Sequence, residues 1–314
     1  MWNIGTTYRK DLDPTFSRLL DKLKVLNEAR PLPKIVLQNI KEALFIEWTY
    51  NSNSIEGNTL TLRETQMVLQ EGVTVKGKSL KEHFEAKNHE TAIHKLYKFV
   101  HKDYVLKTND LLELHALVLR SIEDDYAGRL RNAGVRISGA NSVPPNAIHV
   151  SDYLDSLVDY INTNPQGLNP IELAAVFHHK FVWIHPFFDG NGRTVRLAMN
   201  LLIMRHGFPP AIILTNDRVK YYAALNQANS GNYSKLMLLM SQSAERSLNI
   251  YLSAVPGLDK AYEAISSIVK EPEIPYSQEY VSLLARQGKI DAHKEGRNWF
   301  TTKQAVLDYI EAKG

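Results

Sequence analysis

The sequence contains no cysteine. Disulfides, thiolate zinc sites and cysteine nucleophiles are therefore excluded, and the composition suits a reducing compartment. No apolar run approaches the roughly eighteen residues that a membrane-spanning helix requires. The N-terminus, Met1-Trp2-Asn3-Ile4-Gly5, lacks a basic stretch followed by an apolar one, so no secretory leader is read there. A strong charge of either sign is missing as well. Lys+Arg number 37 against 34 Asp+Glu, a net charge of +3, and this balance by itself calls for no polyanionic partner. Internal repeats and low-complexity tracts are also lacking. The expectation is a cytoplasmic protein with no membrane attachment. What is present is apolar content, 44% of 314 residues, enough for a sizeable core and more than one domain.

Apolar residues recur at helical spacing along most of the chain. A first amphipathic helix carries Phe16, Leu19, Leu20, Leu23 and Leu26. Pro31 and Pro33 punctuate, and a second helix is expected from Lys34 to Ser52. It ends in Ser52-Asn53-Ser54-Ile55-Glu56-Gly57-Asn58, where Gly57 reads as a helix C-cap. Glu56 is misplaced there, because the C-terminal end of a helix favours cations, and the misfit points to a partner elsewhere. Thr61-Leu62-Arg63-Glu64 is a capping box that opens a short helix to about Gln70. Further helices are expected over 78–101, 108–121, 151–163, 170–184, 191–206, 218–229 and 234–252. Between Asp125 and Pro145 the text changes character: Gly128, Gly134, Gly139 and Pro144-Pro145 surround the alternating Val135-Arg136-Ile137-Ser138, which reads as a hairpin. His83, His89, His94, His101 and His115 show no metal-ligand spacing and are taken as structural or surface residues, as are His178 and His179.

Most of the chemical information lies in His185-Pro186-Phe187-Phe188-Asp189-Gly190-Asn191-Gly192-Arg193-Thr194-Val195-Arg196. Pro186 and the Gly190-Asn191-Gly192 run break one helix and force a tight loop that opens the next. Such a loop aims free backbone N–H groups at one point, which suits phosphate. Arg193 and Arg196, three residues apart, share a face of the new helix. His185 supplies a base and Asp189 a hard oxygen ligand. Together these are the parts of a phosphoryl- or nucleotidyl-transfer site.

This stretch matches, at every fixed position, the signature of Fic-domain proteins, and the flanking His178-His179-Lys180-Phe181-Val182-Trp183-Ile184 resembles that family too. The resemblance implies a mainly α fold: a Fic helical bundle with a short β-hairpin flap. It implies protein adenylylation, the transfer of AMP from ATP to a Ser, Thr or Tyr hydroxyl of a target protein, with self-modification or the reverse removal of AMP as related outcomes. His185 would be the base, and Asp189 would hold Mg²⁺. Gly190, Asn191, Gly192, Arg193 and Arg196 would hold the phosphates. Ile137, Ser138, Gly139 and Ala140 would be the flap edge nearest nucleotide and target. Tyr221 and Asn229 would contact adenine, with Tyr222 able to exchange roles with Tyr221. Ser52 and Glu56 match an inhibitory helix whose Glu pairs with Arg196 and occupies the place of the γ-phosphate.

Beyond Pro256-Gly257 a different unit is read: helix 277–288, two strands flanking Glu295-Gly296-Arg297, and a closing helix from Gln304 to Ala312. The order resembles a winged helix-turn-helix, in which Arg286, Lys289, Lys294, Arg297 and Lys303 would face phosphates. The expected organisation is residues 1–105 as an N-terminal helical region with the inhibitory helix, 106–255 as the catalytic core and 256–314 as a small winged-helix-like domain. That tail is a candidate DNA or protein contact, and homodimer formation is a candidate too. The competing reading from another class is a nucleotide-sensing DNA-binding regulator.

Overall fold

A computed structural model describes residues 2–101, 103–258 and 260–313. Helices dominate it. α1 (Arg9–Glu28) and α2 (Lys34–Ile55) lead into α3 (Leu62–Gln66), whose capping box pairs Thr61 with Glu64 and whose end widens into a π-helical turn at Met67–Glu71. α4 (Leu80–Phe99) opens on a second capping box, Ser79 with Glu82. α5 (Thr108–Leu119), α6 (Val150–Thr163) and α7 (Pro170–Ile184) follow. Asn169 accepts from the N–H groups of Ile171 and Glu172 and Pro170 takes the first turn, so the start of α7 is specified twice over. α8 (Asn191–Met204), α9 (Arg218–Asn229) and α10 (Ser234–Ser253) complete the body.

α7 and α8 run through the middle and are buried on nearly every side: Phe177, Phe181, Ile184, Val195, Leu197 and Ala198 are all sealed from solvent. Helices buried on nearly all sides lie at the centre of a bundle, and their polar residues gather toward the loop or pair with neighbours. The rest of the body is wrapped around this pair, so the loop between them is carried on the most rigid part of the molecule.

After α10 the chain forms β1 (Glu263–Ala264), α11 (Ile265–Ile268), α12 (Gln278–Arg286), β2 (Ala292–Glu295), β3 (Asn298–Thr301) and α13 (Lys303–Glu311). The three strands form an antiparallel sheet in the order β1-β3-β2, with His293 opposite Phe300 and Lys294 opposite Trp299. Ile265, Ile268, Val281, Leu284, Ile290 and Val306 give this tail a core of its own. It is nonetheless bolted to the body. Buried Lys22 of α1 reaches Glu245 of α10 at 2.8 Å and Asp291 at 2.5 Å, and Arg18 adds a bidentate pair with Glu245. Two cations expected to face phosphates are committed to acids instead. Lys294 binds Asp217 at 2.6 Å, and Lys303 binds Glu271 and Glu273. No helix among the described residues is long and apolar enough to cross a membrane.

The expected hairpin between Asp125 and Pro145 carries no strand pairing; Ser138-Gly139 is a turn, closed by the Ala140 N–H on the Ile137 carbonyl at 3.2 Å. Pro144 and Pro145 have no N–H to donate, so the second arm cannot build a ladder with the first. The segment is an open extended flap.

Candidate active site

α7 ends in a strained turn. His185 adopts φ 48°, ψ 62°, a left-handed conformation that a β-carbon disfavours and that surrounding contacts must hold. Its amide still donates to the Phe181 carbonyl at 2.9 Å. The imidazole is half-buried, with Nδ1 shut away from solvent and without a hydrogen-bond partner among the described residues. Burial lowers its pKa from the ordinary 6.5, although the nearby Val182 carbonyl and the carboxylates of Glu56 and Asp189 pull the other way.

The loop that follows is zipped from inside. Asn191 accepts from the Phe187 amide at 3.0 Å and donates to the Phe187 carbonyl at 2.8 Å. Its side chain, expected to hold phosphate, thus closes the loop through both its oxygen and its nitrogen. Phe187 stacks face to face on His115 of α5, ring centres 3.6 Å apart. His115 Nε2 donates to the Asp189 carbonyl at 2.9 Å, while Nδ1 accepts from the Gly128 amide at 2.9 Å. That pattern requires the neutral ring, and burial accordingly pushes its pKa down to about 4. Gly190 must be glycine here: it has φ 74°, and a β-carbon would meet the His115 ring at 3.2 Å.

α8 then begins with the amides of Asn191, Gly192 and Arg193 lacking carbonyls one turn earlier, at the positive end of a helix. A carboxylate occupies that position. Glu56, just past the last turn of α2, lies against Gly192 so closely that a β-carbon there would fall 2.1 Å from Oε1. The same oxygen pairs with Nη1 of Arg196 at 2.8 Å. Arg196 is buried, and its other donors also go to the end of α2: Nε to the Ser52 hydroxyl at 3.1 Å and Nη2 to the Ser52 carbonyl at 2.6 Å. Burial opposes the Arg196 charge, but Glu56 outweighs it and the pKa rises. The neighbouring Arg193 pairs with Glu85 of α4 at 3.1 Å, and Asn58 ties Glu85 back to the segment after Glu56 through a 2.8 Å hydrogen bond.

Asp189 is the open group of the loop, its side chain 52% exposed. One carboxylate oxygen accepts from the Gly190 amide at 2.6 Å and faces Arg193 at 3.5 Å, leaving the other for a ligand. Among the described residues no cluster of three His, Asp or Glu side chains is present to cage a cation. The free oxygen of Asp189 is a hard donor of the kind that suits an ion keeping most of its ligands as phosphate and water, as Mg²⁺ does.

The adenine expectations divide. Tyr221 is buried and hydrogen-bonds His178 Nε2 at 2.7 Å, so it is a packing residue behind Arg196 rather than a surface for a base. Tyr222 is 36% exposed, with the Arg218 guanidinium 5.1 Å above its ring, and is the aromatic available there. Asn229 accepts from His179 at 2.8 Å and donates to Asn141 of the flap at 2.7 Å. Asn226, which sequence reasoning missed, holds the flap from the same helix: it accepts from the Asn141 amide and donates to the Gly139 carbonyl at 3.0 Å. Thus α9 and the turn of residues 137–140 are laced together beside the loop.

Comparison with known proteins agrees with this geometry. Residues 105–203 match the Fic/DOC family. The chain is 40% identical over 221 residues to the protein adenylyltransferase Fic of Nematostella vectensis, covering 68% of this chain and 50% of that protein. The chain spans about half the length of the curated relatives it matches. Its fold is similar to that of Fic-1 (aa134 - 508) from C. elegans, with a TM-score of 0.70 and 32% identity, covering 76% of this chain and 71% of that one. A Fic family protein from Desulfovibrio desulfuricans G20 shares the fold over 92% of this chain and 96% of its own, with a TM-score of 0.60 and 20% identity.

Proposed function

This chain belongs to the Fic/DOC family, and on that premise we propose that it is a protein adenylyltransferase, moving AMP from ATP to a hydroxyl side chain of a target protein. One observation carries the reading: a carboxylate lies at the amide-lined start of α8 and pairs with Arg196, where an anionic phosphate would bind. The first turn of α8 holds the phosphates through its backbone amides, and Arg193 and Arg196 neutralise the outer groups once they leave Glu85 and Glu56. Tyr222 and Asn229 flank the base, and Ile137, Ser138, Gly139 and Ala140 present a main-chain edge to the target.

In the transfer step the target hydroxyl oxygen attacks the α-phosphorus. The bond from that phosphorus to the bridging oxygen breaks, and pyrophosphate departs. His185 takes the hydroxyl proton, a task suited to an imidazole kept neutral by burial. Mg²⁺ held by Asp189 would supply charge neutralisation for the phosphates.

Glu56 makes the resting state inhibited, because a triphosphate must displace it from Arg196. Glu56→Gly is expected to raise incorporation of label from α-labelled ATP into the chain itself or into lysate protein. His185→Ala, added to that variant, is expected to abolish incorporation and leave ATP binding intact. Full incorporation without His185 overturns the base assignment.

A further inference from the structure

A guanidinium lies against the His185 turn, and among the described residues no carboxylate pairs with it. Arg131 is 2% exposed, and desolvation is the one influence that moves its pKa, downward. All its compensation comes from carbonyl oxygens. Nε donates to His185 at 2.8 Å and Nη2 to Ile184 at 3.3 Å, both at the C-terminal end of α7. Nη1 donates to Ala133 at 2.9 Å, on the first arm of the flap, and Nη2 to Pro145 at 2.6 Å, on the second. The Arg131 backbone amide adds a bond to the Pro186 carbonyl at 2.9 Å.

We infer that Arg131 is a positioning residue for the transfer step: one planar fork fixes the strained His185 turn and both flap arms in a single relation, so that base and incoming hydroxyl meet in register. The inference rests on the adenylyl-transfer reading. Three physical points support it. The last carbonyls of α7 have no partners within the helix and sit at the negative end of its dipole, where a cation is favoured. The flap arms cannot pair with each other, since the second carries Pro144 and Pro145. A buried unpaired charge is a costly way to stabilise a fold, and an apolar side chain would serve packing better. Only a donor with several fixed directions bridges these carbonyls at once, and Arg alone has them.

The test uses the full chain carrying Glu56→Gly as parent, with Arg131→Lys and Arg131→Met added. Labelling rate from α-labelled ATP is measured against ATP concentration, and folded fraction is followed by thermal unfolding. The expected result is a saturating rate lowered about a hundredfold, the scale of a 1 Å misplacement, with half-saturating ATP nearly unchanged. Arg131→Lys keeps charge and bulk, so it decides the matter if Arg131→Met does not fold. Unchanged saturating rates overturn the inference, as does a loss that merely follows the folded fraction. An unlabelled parent refutes the transfer reading and this inference with it; a labelled parent with fully active Arg131 variants refutes the inference alone.

Discussion

His185 holds a backbone conformation that its β-carbon resists and a ring environment that resists protonation. Both features suit the base proposed for the transfer step. The left-handed turn lifts the ring away from the axis of α7, and burial keeps the neutral form at lower pH than a free imidazole would. Because the neutral ring accepts the proton, the rate rises with pH through the His185 pKa. In the Glu56→Gly chain the acid limb of the pH–rate profile is expected to reach half-height below 6.5; a half-height above 7 contradicts the assignment. The residues proposed for this chemistry are legible in sequence, since His185, Asp189, Arg193 and Arg196 occur at fixed spacing within one short run. Arg131 and His115 are not. Their partners are backbone carbonyls 54 and 74 residues away, and no side-chain pattern records where a carbonyl will point. Tyr221 and Tyr222 illustrate a different limit: adjacent positions on a helix face different ways, and only the packing of α9 on α7 decides which ring is sealed.

The α2–α8 contact is the element on which the proposed inhibition turns. The end of one helix holds Arg196 through Ser52 and Glu56 and sets that carboxylate against the first turn of the other. Sequence gave notice of it through Glu56, an acid where a helix end prefers a base. The flap was read less well: alternation in residues 135–138 suggested a paired hairpin, but an extended arm facing two prolines has nothing to pair with. What tethers it is Arg131 at its arms and α9 at its turn. Asn226→Ala removes both of that residue's side-chain bonds to the flap and leaves only its carbonyl on Asn141, so amide hydrogen exchange over residues 137–141 is expected to rise while α7 and α8 stay protected. Equal protection in both chains would show that Arg131 and Asn229 suffice to hold the flap.

Across the whole molecule, the tail does more than pack on the bundle. Arg246 of α10 binds Glu47 of α2 at 2.8 Å and the Lys294 carbonyl of β2 at 2.8 Å, while Lys294 itself reaches Asp217, next to the Arg218 that bonds the Ile55 carbonyl at 2.7 Å. The C-terminal sheet is thereby connected to the helix that ends in Glu56. The helix content and most helix boundaries followed from periodicity and caps, because local signals dominate there. These cross-links did not, because each joins a charged side chain to a partner 48 to 199 residues away. Everything proposed for the site depends on the innermost phosphorus being the one attacked. Parallel reactions of the Glu56→Gly chain with α-labelled and γ-labelled ATP, in Mg²⁺, test this directly: label is expected to enter protein from the α position only. Incorporation from the γ position, or from neither, would contradict the account.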